Sequence, residues 1–149
     1  MRAQYFLRAG ETHWRQSVDR EAMGVRSGVG LCDVTTLGKI DVQGTHAGEF
    51  LNRLYSNMMA TLKIGRVRYG LMLREDGFAY DDGTCARLAE DHYVVTTTTA
   101  NAGLVYRNME LRRQCLWPEL DVQLISTTDA WAQIAVAGAE IAHPARPDR

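Results

Sequence analysis

The sequence lacks the residue patterns of a disulfide framework, a metal centre and a membrane span. Its three cysteines, Cys32, Cys85 and Cys115, form no C-x-x-C pair, and its four histidines do not have the spacing of metal ligands. We therefore expect a reducing compartment and no bound metal. The chain has no run of 18 apolar residues and no signal-peptide core, so we expect a cytoplasmic protein without a membrane span.

The sequence also lacks an excess of charge of either sign. Seventeen basic and 18 acidic residues give a net charge of −1, which disfavours nucleic acid or an anionic membrane as a partner. The motifs G-x-x-x-x-G-K-[ST], G-x-G-x-x-G and G-x-S-x-G are absent as well. Nucleotide hydrolysis, binding of flavin or nicotinamide, and serine-hydrolase chemistry are therefore not indicated for this chain.

The apolar content is sufficient for a folded core, because 46% of the 149 residues are hydrophobic. Apolar residues at helical spacing predict a first helix that is capped by Thr12 and runs through about Ser27, a second helix capped by Thr45, and a third over 101–114. The predicted apolar face of the second helix consists of Ala47, Phe50, Leu51 and Leu54.

Short runs rich in β-branched and aromatic residues predict strands between and after these helices. They lie at 31–42 (two strands), 69–73, 78–80, 84–89, 92–97, 122–126 and 131–137. Strands and helices mix without strict alternation, so we expect an α+β domain with helices on one side of a mostly antiparallel sheet. We assign this domain to residues 1–138, and an irregular C-terminal tail to 139–149, where no apolar period continues.

Residues 69–83 contain the acidic side chains that are the main candidates for a reactive group. An apolar strand and a Glu-Asp-Gly turn precede Asp81 and Asp82, which we place at a break in the returning strand. Side chains alternate along an extended backbone, so the two carboxylates are expected on opposite faces, with one working acid and no proton-sharing pair. Spacing alone favours the alternative, an ordinary Asp-Gly turn in which both carboxylates are solvated.

An ordered series of motifs adds a family resemblance over about residues 5–138. The segments are 29–35 (VGLCDVT), 38–40 (GKI), 50–52 (FLN), 80–84 (YDDGT), 93–99 (YVVTTTT) and 117–118 (WP). Together they resemble the N-terminal part of the aminomethyltransferase (glycine-cleavage T-protein) family. The resemblance is strongest to the C-terminal, folate-binding region of sarcosine oxidase α subunits, and it implies the N-terminal part of the T-protein folate-binding fold.

The resemblance implies a tetrahydrofolate site in which a one-carbon unit from an oxidised N-methyl amine is captured as methylenetetrahydrofolate. Asp82 matches the family's catalytic aspartate, Tyr69 a tyrosine that lines the folate pocket, and Leu37 an apolar wall position. Thr97 falls near the position of a folate-binding Asn in T-proteins. Flavin and NAD are expected elsewhere in such a complex, not on this chain.

The family continues into a second half that has no counterpart in this sequence. The resemblance therefore implies a fragment that is inactive alone and pairs with a missing C-terminal half or with other sarcosine oxidase-like subunits. An uncovered sheet face would also favour self-association. Two alternatives stay open: a non-catalytic folate-binding or interaction module, and a relative of the glycine-cleavage aminomethyltransferase.

Overall fold

The computed structural model describes residues 6–141. Their helices and strands, in chain order, are α1 (Trp14–Ser27), β1 (Gly30–Asp33), β2 (Gly38–Gln43), α2 (Ala47–Leu54), β3 (Val67–Leu73), β4 (Ala79–Arg87), β5 (His92–Thr97), α3 (Ala102–Leu111), β6 (Gln123–Ser126) and β7 (Ile134–Ala137). A short 3-10 turn precedes α3, and a π-helical turn, Arg112–Leu116, follows it. Most of the expected tail, 142–149, lies outside the described residues. None of the helices within residues 6–141 has the length and hydropathy needed to cross a membrane.

The described chain divides into two compact units. The smaller unit, 6–34 with 134–141, contains α1 and the antiparallel pair β1 and β7. In this unit Arg20 donates a 2.7 Å hydrogen bond to Glu11. That bond is the largest of the effects that lower the pKa of Glu11 to about 2.

The larger unit, 35–133, is built on a five-stranded sheet in the order β3-β4-β5-β2-β6. All neighbouring strands are antiparallel, which confirms the predicted fold class. Buried side chains of α2 and α3 form one hydrophobic core with the strand residues that face them. The core includes Phe50, Leu51, Leu54, Val105, Met109, Ile40, Val42, Cys85, Tyr93, Val95 and Met72.

The apolar face predicted for α2 is confirmed, since all four of its residues are buried. The caps predicted for α1 and α2 are both wrong. The capping position of α1 is His13, not Thr12, and no side chain caps it. Helix α2 begins at Ala47, its capping position is His46, and no side chain caps it. The Thr45 hydroxyl instead donates a 2.9 Å hydrogen bond to the carboxylate of Asp121, and this bond lowers the pKa of that carboxyl group.

The predicted break at the two aspartates is also wrong, because β4 runs without interruption from Ala79 to Arg87. The irregularity is a β-bulge one residue earlier. Met72 of β3 pairs with Asp81, whereas Leu73 pairs with Ala79, so Tyr80 is the extra residue. A bulge bends a strand and redirects its side chains without ending the strand.

Asp81 and Asp82 occupy opposite faces of the sheet, as alternation requires. Asp81 is 7% exposed. Its carboxylate accepts hydrogen bonds from the backbone N–H of Thr98 and from the side-chain amide of Asn101, each at 3.1 Å. Asp82 is exposed. Asp81 thus joins the end of β5 to the start of α3, and its role is structural.

We predict that the two aspartates respond differently to the same substitution. Both partners of Asp81 are donors, so Asp81→Asn places an amide N–H2 against one of them. The free energy of unfolding should fall by about 1–3 kcal/mol. Asp82→Asn, at an exposed position, should change it by less than about 0.5 kcal/mol. Urea denaturation of both variants measures the difference, and an equal or larger loss for Asp82→Asn would contradict this assignment.

The three cysteines provide a second prediction about the fold. Cys85 is 1% exposed, and burial raises the pKa of its thiol to about 12, whereas Cys32 and Cys115 are exposed. Because the thiolate is the reactive form, iodoacetamide at mildly alkaline pH should alkylate Cys32 and Cys115 in the folded chain. Cys85 should react only after denaturation. Peptide mass spectrometry identifies the labelled residues, and rapid labelling of Cys85 would disprove its burial.

Candidate functional site

The face of the sheet that carries Asp82 bears a shallow depression of about 250 Å³ within the larger unit. The four site residues predicted from the sequence, Leu37, Tyr69, Asp82 and Thr97, all border it. The other bordering residues are Gly83, Thr84, Thr96, Thr98 and Gln133. Segments far apart in the sequence therefore meet at one concave surface.

Strand register explains why these side chains meet. Tyr69 of β3 lies opposite Thr84 of β4, and Leu71 lies opposite Asp82. Directly paired residues of antiparallel strands share a face, so Tyr69, Thr84 and Asp82 lie on the same side of the sheet. Tyr69 is 59% exposed there.

Gly83 allows β4 to approach β5 closely beside Asp82. A Cβ atom at this position would collide with the carbonyl oxygen of Thr96. The Thr84 backbone N–H donates to the Thr96 hydroxyl oxygen at 2.8 Å, and the two threonine hydroxyls lie 2.8 Å apart. The Thr96 side chain thus takes part in holding the two strands together at the border of the depression.

Thr98 connects both carboxylates. Its backbone N–H binds Asp81, and its hydroxyl donates a longer bond, 3.4 Å, to Oδ1 of Asp82. None of residues 6–141 donates a hydrogen bond to Oδ2 of Asp82. Asp82 can therefore accept a hydrogen bond, or a proton, from a ligand in the depression.

Thr97 reaches the border of the depression, but its side chain does not point toward Asp82. The residue is 2% exposed, and its hydroxyl lies over Gly38 and Ala102 on the helix side of the sheet. The hydroxyl donates to the carbonyl oxygen of Thr98. Its neighbours Thr96 and Thr98 have side chains on the Asp82 side, because alternate residues of a strand share a face.

Lys39 supports the site although sequence reasoning did not single it out. It is 3% exposed, and its Nζ donates to the carbonyl oxygens of Thr35 at 2.7 Å and Thr128 at 3.2 Å. These bonds attach the segment that contains Leu37 to β2. The strand has the sequence GKIDVQ, in which polar and apolar residues alternate. Lys39 lies on the polar side of this pattern, so the sequence alone predicts it at the surface.

Gln133 is the second residue that sequence reasoning missed. Its backbone N–H donates to the Thr35 hydroxyl oxygen at 3.1 Å, and it borders the depression beside Asp82. The two bonded residues are 98 positions apart, so no local pattern indicates that they meet.

A neighbouring depression of about 510 Å³ shares Tyr69, Asp82 and Thr98 with the first. It extends over Leu71 and Tyr80. Asp82 therefore lies where two concave surfaces adjoin. Within residues 6–141 no group of three or more histidine, cysteine or acidic side chains could hold a metal ion.

Comparison with known proteins identifies a family and several relatives. The GCVT N-terminal domain family matches residues 1–143. The sarcosine oxidase subunit alpha of Rhizobium meliloti (strain 1021) is 56% identical over 137 residues, which cover 92% of this chain and 14% of that protein. An aminomethyltransferase of Streptomyces coelicolor is 36% identical over 120 residues, which cover 80% of this chain and 31% of that one.

A solved structure shows the same fold. The glycine cleavage system aminomethyltransferase T from Bartonella henselae matches with a TM-score of 0.76 and 28% sequence identity, over 92% of this chain and 37% of that chain. The matched relatives are enzymes or enzyme subunits, and this chain spans only part of their length. Because the family match extends over residues 1–143, this chain belongs to the GCVT N-terminal domain family.

Proposed function

We propose that this chain is the tetrahydrofolate-binding part of a sarcosine oxidase α-like subunit. In this proposal tetrahydrofolate captures the one-carbon unit of the iminium formed from an oxidised N-methyl amine. The bond from this carbon to the original nitrogen breaks, so the products are methylenetetrahydrofolate and the demethylated amine. The observation that carries the proposal is the Asp82 carboxylate, which is exposed where two depressions adjoin and is bordered by Tyr69. The 56% identity to a sarcosine oxidase subunit alpha supports the choice of enzyme.

Asp82 would act as the general base. Tetrahydrofolate supplies the amine nitrogen that captures the one-carbon unit, and an arylamine nitrogen is a weak nucleophile. Asp82 would orient this nitrogen and accept its proton as the bond to carbon forms. Thr98 donates to Oδ1, so Oδ2 would be the oxygen that meets the ligand. The negative charge would also stabilise a cationic iminium.

The remaining predicted residues would shape the site. Tyr69 offers a ring face and Leu37 an apolar wall for the flat parts of a folate. The Thr97 hydroxyl is buried and bonded to the Thr98 carbonyl oxygen. We therefore assign any threonine hydrogen bond to folate in this region to Thr96 or Thr98, and give Thr97 a supporting role.

The rest of the binding pocket would come from other segments or subunits. This chain corresponds to 14% of the length of the sarcosine oxidase subunit alpha. Large apolar side chains are exposed on the Asp82 side of the sheet and at its hairpin, namely Val67, Tyr69, Leu71, Leu73, Phe78 and Ile125. Such a surface suits a covering partner. Flavin and NAD would bind elsewhere in the complex.

A relative of the glycine-cleavage aminomethyltransferase is the second candidate. The structural match to an aminomethyltransferase T favours it, but the sequence identity to the aminomethyltransferase is 36% compared with 56% to the sarcosine oxidase subunit. Both candidates use the same folate site. The amine substrate distinguishes them, because only the first requires a flavin-dependent oxidation to form the iminium.

We predict that the isolated chain binds tetrahydrofolate with a dissociation constant weaker than micromolar. Each contact missing from an incomplete pocket typically costs about 1–3 kcal/mol where a buried polar group stays unpaired. Isothermal titration calorimetry measures the constant. A micromolar or tighter value would show that this chain contains the whole site.

We also predict the effect of Asp82→Asn in a longer protein that joins this sequence to the rest of a sarcosine oxidase α-like subunit. The substitution keeps the shape but removes the proton acceptor. Formation of methylenetetrahydrofolate should fall by about 10²–10⁴-fold, while amine oxidation continues and formaldehyde is released instead.

Product analysis during amine turnover measures this partition. Asp76→Asn, in the exposed turn between β3 and β4, is the matched control and should partition as the unmodified protein does. Normal formation of methylenetetrahydrofolate by the Asp82→Asn variant would remove Asp82 from the mechanism.

A further inference from the structure

One buried polar atom of the larger unit lacks a hydrogen-bond partner. Among residues 6–141, Oε1 of Gln133 is the only buried side-chain nitrogen or oxygen in this state. Buried polar groups in folded proteins are almost always paired, because an unpaired one loses its hydration without compensation. An exception therefore requires an explanation, and a ligand is one.

Oε1 of Gln133 is shielded from solvent in the free chain, so a ligand at the border of the depression reaches it by a rotation of the side-chain amide. Gln133 borders the depression that also contains Asp82 and Tyr69. Its backbone is held by Thr35, whose hydroxyl oxygen accepts from the Gln133 N–H at 3.1 Å and whose hydroxyl lies 3.4 Å from the Gln133 carbonyl oxygen. Lys39 in turn holds the carbonyl oxygen of Thr35. Lys39 of β2 thus holds Thr35, and Thr35 holds the backbone of Gln133.

The bordering groups restrict what the ligand can be. An amide carbonyl oxygen accepts hydrogen bonds and cannot donate them, so the missing partner must be a donor. The hydroxyl groups of Thr84 and Thr96 bond to each other, and neither supplies the donor that Oε1 lacks. Leu37 and Tyr69 provide apolar and aromatic walls, which suit a flat ring.

We propose that Gln133 is a specificity-determining residue whose side-chain oxygen accepts a hydrogen bond from an N–H group of the ligand's nitrogen heterocycle. This inference rests on the proposed function. For tetrahydrofolate, the donor is an N–H of the reduced pterin ring. An analogue without this donor is rejected, because the buried oxygen then stays unpaired in the complex.

The proposal makes opposite predictions for stability and for binding. Gln133→Met keeps the length of the side chain and removes an oxygen that has no partner in the free chain. The free energy of unfolding should therefore stay the same or rise. Affinity for tetrahydrofolate should fall by about tenfold. If Oε1 instead had a hydrogen-bond partner within the chain, Gln133→Met would lower the free energy of unfolding.

The experiment uses the full 149-residue chain, labelled with ¹⁵N, because NMR titration detects binding at millimolar concentrations. The probes are tetrahydrofolate, kept reduced, and p-aminobenzoylglutamate, which lacks the pterin ring. Tetrahydrofolate should shift the backbone amides of Tyr69, Asp82 and Thr98 together with the side-chain amide of Gln133. Gln133→Met should weaken tetrahydrofolate binding but leave p-aminobenzoylglutamate binding unchanged. Gln123→Met, at an exposed position on β6, is the matched control.

The outcomes separate this inference from the proposed function. If tetrahydrofolate shifts Tyr69, Asp82 and Thr98 equally in the unmodified and Gln133→Met chains, the folate site stands and the role of Gln133 is overturned. Destabilisation of the Gln133→Met chain in urea would also overturn it. If tetrahydrofolate shifts none of these amides at millimolar concentration, both the folate site and the role of Gln133 are overturned.

Discussion

The site depends on the hydrogen bonds that the buried Asp81 carboxylate accepts from Thr98 and Asn101. These bonds fix the chain where β5 ends and α3 begins. Because β4 alternates its side chains, holding Asp81 on the helix side places Asp82 on the opposite side of the sheet. Thr98 then contributes its hydroxyl to Asp82. One buried carboxylate thus positions the exposed carboxylate to which we assign the chemistry.

The two faces of the five-stranded sheet have different roles: one packs the core that stabilises the fold, and the other carries the proposed binding site. The helix side contains the hydrophobic core, including Phe50, Val95 and Met109. The other side contains Asp82 and Tyr69, with exposed apolar side chains around them. A surface of this kind is costly to leave in water, and we interpret it as the wall of a pocket that other segments complete. The partial coverage of the relatives agrees with this interpretation.

Lys39 and Gln133 extend the site beyond the residues suggested by the family resemblance. Lys39 holds Thr35 through a carbonyl oxygen, and Thr35 holds the backbone of Gln133. Lys39 is paired with two carbonyl oxygens, whereas Oε1 of Gln133 is buried without a partner, which costs stability. A buried polar atom without a partner calls for an explanation, which is the basis for assigning Gln133 to ligand recognition.

The sequence by itself determined the α+β class, the apolar face of α2, and the family, because these depend on periodicities and motifs within a few residues. It also placed the two aspartates on opposite faces, since alternation is a local property of extended backbone. Only the tertiary structure decided that β4 continues through them, that the Thr97 hydroxyl is buried, and that Gln133 meets Thr35 across 98 positions. Strand register and side-chain burial depend on pairing between distant segments, and no short window of sequence contains that information.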